Sequence, residues 1–357
     1  MKSYLYVLII FLLAVCVILA IFHFGDLPNT HNNGFKRSYF QVPYSGSQER
    51  KLPDTLVGIV GATRWNVYIS TATEGEVLEI GKDLRGRIKK IKIPFFARWY
   101  DSLQFSSLSI MIDSPRMYLF AENKPAIVKT SLDAASFEVR ILPPGGFSRE
   151  AMAGPDCFIL RKFEPRLIDQ VFVRYNFSTG ILKKEENISE IYGDGGIISD
   201  GQLHFDGGTK KLYYIYYYKN LLLSFDTTLG FVNKFASIDT TISFNMKTGL
   251  VKNGGTQAFT NITPANIINK LNYVQNGLLF NMSALKADNE SSTFFSDNSV
   301  IDIIDLKNGK YLGSMSLPVC NGAKLSQFII SGSKLVGLYT HSIIIYDLDP
   351  DLDRQHQ

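Results

Sequence analysis

The sequence predicts an all-β domain of repeated antiparallel sheets that follows a single apolar helix. Three observations predict this architecture. A strand–turn–strand phrase recurs through the chain, windows with a helical period are scarce after residue 24, and the N-terminus carries an uncharged apolar run. The chain has 357 residues, of which 45% are hydrophobic and 13% aromatic, so it can build a large core.

The recurring phrase consists of an apolar strand, a turn-forming residue and a second strand, as in "IDIIDLKNGKYLG", which begins at Ile301. Internal repeats become visible when one position is aligned, here the last residue of the apolar strand. The six aligned residues are Ile80, Thr130, Tyr175, Phe225, Ile304 and Tyr346. Five of the six residues that follow carry a side-chain oxygen that can bond nearby backbone N–H groups, as turns require.

The spacing of the phrase predicts the blades of a β-propeller. Successive aligned residues are 50, 45, 50, 79 and 42 positions apart, and propeller blades recur about every 40 to 50 residues. The long interval before Ile304 leaves two interpretations. We favour six blades, one of them enlarged by polar insertions at residues 253–270 and 286–299, and a seventh blade around residues 242–251 is the alternative.

The predicted propeller spans residues 48–349, with a polar linker at residues 25–47 before it and a polar tail at residues 350–357 after it. The last repeat, which ends near Tyr346, lacks the outer strand that the other repeats have. An unpaired sheet edge exposes backbone groups, which proteins avoid. Because "KRSYFQV" at residues 36–42 alternates like a strand, we expect it to pair with the last blade and close the ring.

Residues 1–24 are predicted to form a transmembrane anchor. Residues 4–22 carry no charge, and about 20 apolar residues span a bilayer. The alternative is a cleaved signal peptide, which usually has a shorter apolar core and small residues before the cut. Lys2 favours a cytoplasmic N-terminus, whereas Lys36 and Arg37 oppose it. We expect a single-pass membrane protein whose C-terminal domain is exported, to a periplasmic or extracellular location.

Charge and cysteine usage narrow the classes of partner and site. The net charge of the chain is only +4. Proteins that bind nucleic acid usually carry a concentrated basic face, so the small charge argues against a nucleic-acid partner. Cys16 lies in the apolar run, and Cys157 and Cys320 lack CxxC spacing, so neither a zinc knuckle nor a disulfide framework is predicted. A bridge between Cys157 and Cys320 stays open, because it depends on the fold bringing them together.

The sequence leaves the catalytic residues unknown, and it predicts neither a cofactor nor a metal. It contains no GxSxG, CxxCH or GxxxxGK[ST] motif. His204 and His341 cannot form a three-ligand zinc site by themselves, and we interpret them as strand or turn residues. "DLDPDLD" from Asp347 spaces its carboxylates like calcium ligands but lacks the loop glycine, so we interpret it as a solvated end.

Two further stretches have both a structural and a functional interpretation. "YYIYYYKN" from Tyr213 can stack on ligands, but we favour rings that fill the space between sheets. "RGRIKKIKI" from Arg85 puts lysines on a predicted outer strand, where they prevent pairing with other strands. Attraction of these lysines to anionic lipid headgroups is the alternative.

The units around Tyr175, Phe225 and Ile304 resemble the blades of six-bladed, TolB-like β-propellers. Over residues 35–349 the chain is similar to uncharacterised bacterial propeller proteins that carry an N-terminal membrane segment. The shared features are an apolar strand, an Asx turn, a glycine and another strand. The resemblance implies the fold, and it transfers no functional residue, because no site motif of the family is matched.

Three functions are compatible with these observations. We favour a membrane-anchored, exported propeller that acts as a non-catalytic binding or scaffold module for a protein or small-molecule partner. The first alternative is a calcium-dependent hydrolase or lactonase-like enzyme with its site in the central channel, where ligands would come from several blades. The second alternative is an accessory protein of a membrane redox or transport system. Whether the protein is an enzyme is therefore left open.

Overall fold

The computed structural model describes residues 6, 11–18, 33–52, 54–73, 75–93, 108–122, 124–133, 136–230, 233–239, 246–253, 256–263, 266–350 and 352. Strands dominate this part of the chain, and no helix in it has both the length and the apolar character needed to cross a bilayer. Most of the predicted anchor lies outside the described residues, and the few that are described, 6 and 11–18, are helical. The anchor therefore stays a prediction.

The strands form units of four, in which each strand pairs with the next as an antiparallel meander. The bounds follow unit by unit. Unit 1 contains β2 (Leu56–Ala62), β3 (Asn66–Thr71), β4 (Glu76–Gly81) and β5 (Lys89–Lys92). Unit 2 contains β6 (Leu108–Asp113), β7 (Arg116–Ala121), β8 (Ala126–Ser131) and β9 (Phe137–Ile141). Unit 3 contains β10 (Phe147–Gly154), β11 (Cys157–Glu164), β12 (Asp169–Asn176) and β13 (Leu182–Glu185).

The second half of the chain continues the pattern. Unit 4 contains β14 (Gly201–Asp206), β15 (Lys211–Tyr216), β16 (Leu222–Asp226) and β17 (Asn233–Phe235). Unit 5 contains β20 (Asn269–Gln275), β21 (Leu278–Ser283), β22 (Asn298–Asp305) and β23 (Lys310–Pro318). Unit 6 contains β24 (Gln327–Ser331), β25 (Lys334–Leu338), β26 (Ser342–Leu348) and, as its fourth strand, β1 (Tyr44–Lys51).

The repeated phrase found in the sequence corresponds to the third strand of each unit. The six aligned residues lie near the ends of these strands, which are β4, β8, β12, β16, β22 and β26. The side chain of Asp226, the residue after one of them, accepts hydrogen bonds from the backbone N–H groups of Thr228 and Gly230 at 2.8 and 3.0 Å. The predicted strand–turn–strand repeat is confirmed.

The first strand of each unit, which we call its inner strand, meets the inner strand of a neighbouring unit. β2 and β6 run parallel and pair at Gly61 and Ile112, which joins units 1 and 2 into one eight-stranded sheet. We call the end of the domain at which the inner strands begin the upper face. Because the strands of a unit alternate in direction, the loop between its second and third strands and the connection to the next unit also lie at the upper face.

The cores lie between adjacent units, because the middle strands bury both of their faces. β7 is apolar and buried after its first residue, and the first six residues of β11 are buried, beginning with the apolar run Cys157–Leu160. Phe120 of unit 2 packs edge-to-face on Phe158 of unit 3, with ring centroids 5.3 Å apart. Phe172 of unit 3 packs in the same way on Tyr214 of unit 4, at 5.1 Å. Face-to-face packing of successive sheets thus builds the domain.

Residues 44–51, not residues 36–42, supply the outer strand of unit 6. β1 pairs along its length with β26, from Tyr44 opposite Leu348 to Lys51 opposite Ser342. The predicted N-terminal strand pairing therefore exists, but its predicted position is wrong. Nearly all side chains of this strand, "YSGSQERK", are exposed. Its sequence therefore lacks the alternation of apolar residues by which a strand can be recognised.

Residues 36–42 instead pack against unit 5, which also corrects the prediction that residues 25–47 are a polar tether. Arg37 is buried, and its guanidinium lies 2.7 Å from a carboxylate oxygen of Asp302 and 2.8 Å from one of Glu290. Phe40 is buried as well, and its N–H donates to the carbonyl of Ser314 at 3.0 Å. The alternation read as a strand reflects this packing. Residues 25–32 lie outside the described residues.

The long interval before Ile304 contains a hairpin and one short helix. β18 (Thr248–Asn253) pairs with β19 (Thr256–Asn261) in a two-stranded sheet, and residues 292–297 form the helix. Residues 242–245, which belong to the alternative seventh blade, lie outside the described part of the chain. In the described part, the interval adds two strands rather than a further unit of four.

Two smaller predictions can be compared with the structure. Leu352, in the predicted polar tail, is buried against units 5 and 6, whereas residues 351 and 353–357 lie outside the described residues. Cys157 and Cys320 are both buried and free, so the bridge left open by the sequence does not form. Cys157 is the first residue of β11 in unit 3, whereas Cys320 lies in the connection between units 5 and 6.

Candidate functional site

Polar side chains connect the inner strands of neighbouring units. On one side of the domain these connections are neutral amides. The Gln327 side-chain oxygen accepts a hydrogen bond from the backbone N–H of Ile59 at 2.6 Å, which links units 6 and 1. Gln202 links units 4 and 5, since its oxygen accepts from the N–H of Asn272 at 3.0 Å and its amide donates to the Lys270 carbonyl at 3.2 Å. These amides satisfy backbone groups that parallel strand pairing leaves free.

Charged side chains make the corresponding connections among units 2, 3 and 4. The Ser109 hydroxyl on β6 donates to the Glu150 carboxylate on β10. Arg149, the neighbour of Glu150, donates from Nε to the Gly201 carbonyl at 2.6 Å and from Nη2 to Asp200 Oδ2 at 2.8 Å. The alternation of β10 sends these two side chains to opposite sides, one toward each neighbouring unit.

A buried arginine in the second strand of unit 3 also contacts this charged region. Arg161 on β11 is 0% exposed, and its Nη2 donates to the Gly196 carbonyl at 2.8 Å and to the Ser199 hydroxyl at 2.7 Å. Its Nη1 also lies 3.4 Å from Asp200 Oδ1. Asp200 therefore lies between two guanidinium groups, and the connection from unit 3 to unit 4 is fixed in place.

Glu122 completes the cluster from the upper end of unit 2, immediately after β7. Burial raises its pKa to about 7, and the negative charges of Glu150 and Asp200 act in the same direction against the opposing charge of Arg149. Burial also raises the pKa of Glu150, whereas its bond from Ser109 and the charge of Arg149 oppose that rise. Two partly buried carboxyl groups thus share one electrostatic environment at the upper face.

Aromatic side chains from the loop after β15 border the cluster. The Tyr217 ring lies 5.6 Å from the Arg149 guanidinium carbon, within the range of a cation–π contact. Burial raises the pKa of Tyr218, and the charge of Asp200 adds to the rise. We call Glu122, Arg149, Glu150, Asp200, Tyr217 and Tyr218 together the upper-face cluster.

The sequence did not identify this cluster, because its members come from three units and from positions up to 96 residues apart. One local signal existed. β10 reads "FSREAMAG", and among the six inner strands that the structure describes it alone places two charged residues side by side. No sequence rule connects that pair with Glu122 or Asp200.

The residues that the sequence did single out lie elsewhere or have structural roles. His204 is in β14, and burial lowers its pKa to about 4, against the opposing hydrogen bond with Asn272, whose oxygen lies 2.6 Å from Nε2. His341 lies in an exposed turn, so both histidine predictions are confirmed. Tyr213, Tyr214 and Tyr216 are buried between sheets, as the favoured interpretation of "YYIYYYKN" requires.

The two charged stretches that the sequence singled out, the lysines near residue 90 and the aspartates from Asp347, form no site in the part of the chain that the structure describes. β5 carries its lysines at the outer edge of unit 1, as predicted. Near the C-terminus, Asp347 forms an ion pair with Lys334. Among the described residues, no group of three or more His, Cys, Asp or Glu side chains is placed to hold a metal ion.

A separate cavity of about 810 Å³ lies at the opposite end of the domain, between units 4, 5 and 6. The lysines that line it, among them Lys211, Lys307 and Lys310, are exposed. The upper-face cluster is the stronger candidate, because carboxyl groups whose pKa values are raised by burial and by nearby charges mark functional sites.

The chain was compared with protein families, curated proteins and solved structures. No family model matches it, and no curated protein matches it. Virginiamycin B lyase from Staphylococcus aureus is similar in structure at 12% identity, with 85% of this chain and 99% of that chain covered and a TM-score of 0.51. A duf4221 family member from Bacteroides vulgatus has a TM-score of 0.53 at 10% identity, covering 88% and 99%.

The WD40 repeats of RRP9 are similar at 9% identity, with 87% of this chain and 99% of that chain covered and a TM-score of 0.50. Identities this low show the fold alone. All three are β-propellers, and each is matched along nearly its whole length. The repeated antiparallel units of this chain, packed face to face around parallel inner strands, are therefore those of a β-propeller.

Proposed function

We propose that the protein is a membrane-anchored, exported, six-bladed β-propeller that binds a partner carrying a cationic group at the upper-face cluster. The cationic group is an amine or a guanidinium, on a small molecule or on a protein. Its place is beside Glu122 and Glu150. The proposal makes the protein a binding module rather than an enzyme.

Six blades are the count that the described units support best. Each of the six units has four strands, and units 6 and 1, the ends of the series, meet through Gln327 and Ile59. β1 adds an N-terminal strand to the last unit, which in propellers ties the two ends of the chain together and removes an exposed edge.

The observation that carries the binding proposal is the pair of carboxyl groups with raised pKa values. Burying two acidic groups near each other is unfavourable, because the protein must hold a proton or tolerate repulsion between the charges. No described residue donates a hydrogen bond to the Glu122 side chain. A bound cation beside Glu122 would replace the proton and remove that penalty, so the site favours cations over neutral ligands.

A calorimetric titration with spermidine tests the proposal. We expect binding at pH 8, and affinity at least tenfold lower in the Glu122→Gln and Glu150→Gln variants, since each removes one of the two carboxyl groups at the site. Glu138→Gln is the matched control, because the Glu138 side chain is 60% exposed on β9 and lies outside the cluster. Unchanged affinity in both site variants would overturn the proposal.

The same titration has a predicted pH dependence. With a pKa of about 7, Glu122 is about 90% ionised at pH 8 and about 10% ionised at pH 6. Since the cation needs the ionised form, affinity should fall about tenfold between pH 8 and pH 6. The Glu122→Gln variant should lose this dependence, and a wild-type affinity that stays flat across the range would contradict the role of Glu122.

One observation favours a second candidate function, an enzyme that uses acid–base catalysis. A carboxyl group with a pKa near 7 can both accept and donate a proton at neutral pH, and Glu122 has that property next to a second glutamate. The enzyme hypothesis predicts turnover that disappears in Glu122→Gln. Calcium dependence, as in the hydrolase alternative, would show as heat in a titration with millimolar Ca²⁺.

A further inference from the structure

The chain enters the folded domain at its upper face. The Asn33 side-chain amide donates to the Lys286 carbonyl at 2.8 Å, and its backbone N–H donates to Asp288 Oδ1 at 2.8 Å. Asp288 in turn donates its own N–H to the Phe35 carbonyl at 2.9 Å. Lys286 and Asp288 belong to the connection between β21 and β22, the second and third strands of unit 5, which lies at the upper face.

The sequence leaves little chain between this point and the proposed anchor. Ten residues, 23–32, separate the apolar run that ends at Phe22 from Asn33. Ten residues reach at most about 35 Å when fully extended, and about 17 Å on average as a flexible chain. If residues 4–22 span the bilayer, the upper face lies close to its surface.

The hairpin of β18 and β19 presents apolar side chains at the same face. It belongs to the connection between units 4 and 5, and Phe259 covers Gly195 in the neighbouring connection between units 3 and 4. A side chain in place of Gly195, whose φ is +77°, would meet the Phe259 ring at 3.1 Å. The hairpin is therefore fixed against the upper face, next to the unit where the chain enters.

Four aliphatic side chains on and beside the hairpin are exposed. Leu250 is 48% exposed and Ile262 is 61% exposed, and Val251 and Ile267 are similar. Exposed lysines accompany them at Lys247 and Lys270. Apolar side chains flanked by lysines suit the boundary between headgroups and acyl chains, where the former enter the bilayer and the latter contact anionic headgroups.

We propose that the upper face lies against the bilayer, with Leu250, Val251, Ile262 and Ile267 inserted at its surface. This inference rests on the proposed anchor at residues 4–22. The occupant of the apolar surface is the lipid bilayer on the side to which the domain is exported. The upper-face cluster then opens toward the membrane, so its cationic partner would be recognised at the bilayer surface.

Fluorescence quenching in proteoliposomes tests the orientation with the full chain. A tryptophan is introduced by Leu250→Trp or, as a matched control, by Ile181→Trp. Ile181 is 66% exposed between β12 and β13, the third and fourth strands of unit 3, which places it at the opposite face. The vesicles contain phosphatidylglycerol and phosphatidylcholine brominated near the top of the acyl chains, and the quenching of the unsubstituted protein is subtracted.

We expect Leu250→Trp to be quenched at least twofold more than the unsubstituted protein, and Ile181→Trp to be quenched no more than the unsubstituted protein. Ile262→Trp provides a second probe if Leu250→Trp does not fold. Resistance to alkaline carbonate extraction, measured on the same vesicles, reports whether the anchor is inserted.

Each outcome of the pair of measurements is informative. Insertion without quenching at either position overturns the orientation and leaves the anchor standing, and a protein partner then becomes the occupant of the surface. Extraction by carbonate overturns the anchor and the orientation together. Neither result touches the spermidine titration, so failure of the binding proposal is separately recognised.

Discussion

Neighbouring inner strands are connected by neutral amides on one side of the propeller and by charged side chains on the other. On the side of units 4, 5, 6 and 1, the amides of Gln202 and Gln327 connect inner strands without introducing charge. On the side of units 2, 3 and 4, the connection uses Glu150, Arg149 and Asp200. The amides of Gln202 and Gln327 connect inner strands without a charge, so connecting inner strands does not by itself require Glu150, Arg149 and Asp200. The charged side is therefore the better place to look for a functional site.

The largest effect expected on this comparison comes from Arg161→Met. Removing a fully buried guanidinium leaves the Gly196 carbonyl and the Ser199 hydroxyl without their donor and removes one partner of Asp200. Loss of one member of a buried charged network costs about 3 kcal/mol. Chemical denaturation should show this fall in the free energy of unfolding. A change below about 1 kcal/mol would mean that the Arg161 hydrogen bonds contribute little to stability.

A smaller effect is expected on the neutral side from Gln327→Leu. The substitution removes the acceptor of the Ile59 N–H, and a lost hydrogen bond to a partly buried group costs about 1 to 2 kcal/mol. Gln48→Leu is the matched control, because Gln48 is exposed on β1 and its substitution should be nearly neutral. Equal effects from both glutamines would remove the role we assign to the Gln327 amide.

The smallest effect, and one of opposite sign, is expected from Glu122→Gln. The folded protein raises the pKa of Glu122 from 4.5 to about 7, so this group stabilises the fold below pH 4.5 and loses that contribution as the pH rises through 7. The variant lacks this loss. Because Glu122 is only half-buried, solvent screens its charge and much of the pKa shift does not appear as stability. The Tm of the variant should match the wild type at pH 4.5 and exceed it by about 2 °C at pH 8. A lower Tm at pH 8 would show that the Glu122 charge is stabilising.

The repeat could be predicted from sequence because it rests on local physics. Third strands are buried and end in turns, so Phe225 and Ile304 are followed by aspartates that cap the turn backbone. β1 could not be placed in the same way. An outer strand contacts the sheet through its backbone, and the exposed side chains of "YSGSQERK" follow no apolar period. The packing of Arg37 on Asp302 likewise joins residues 265 positions apart.

The candidate site could not be predicted because it exists only after the units are assembled. Glu122 follows a second strand, Glu150 lies inside an inner strand, and Asp200 precedes another. Each is an ordinary charged residue in its own segment. Burial raises the pKa values of Glu122 and Glu150, and for Glu122 the negative charges of Glu150 and Asp200 add to the rise. These effects act across units, so they are not written in the local sequence.

The account depends most on the protonation of Glu122, which can be measured directly. NMR of protein labelled with ¹³C at the glutamate carboxyl carbons, with Glu122 assigned as the resonance missing from Glu122→Gln, gives its pKa with and without spermidine. We predict titration near pH 7 in the free protein and at lower pH when spermidine is bound. Titration near 4.5 in the free protein, or no change with spermidine, would contradict the assignment of the upper-face cluster as a cation-binding site.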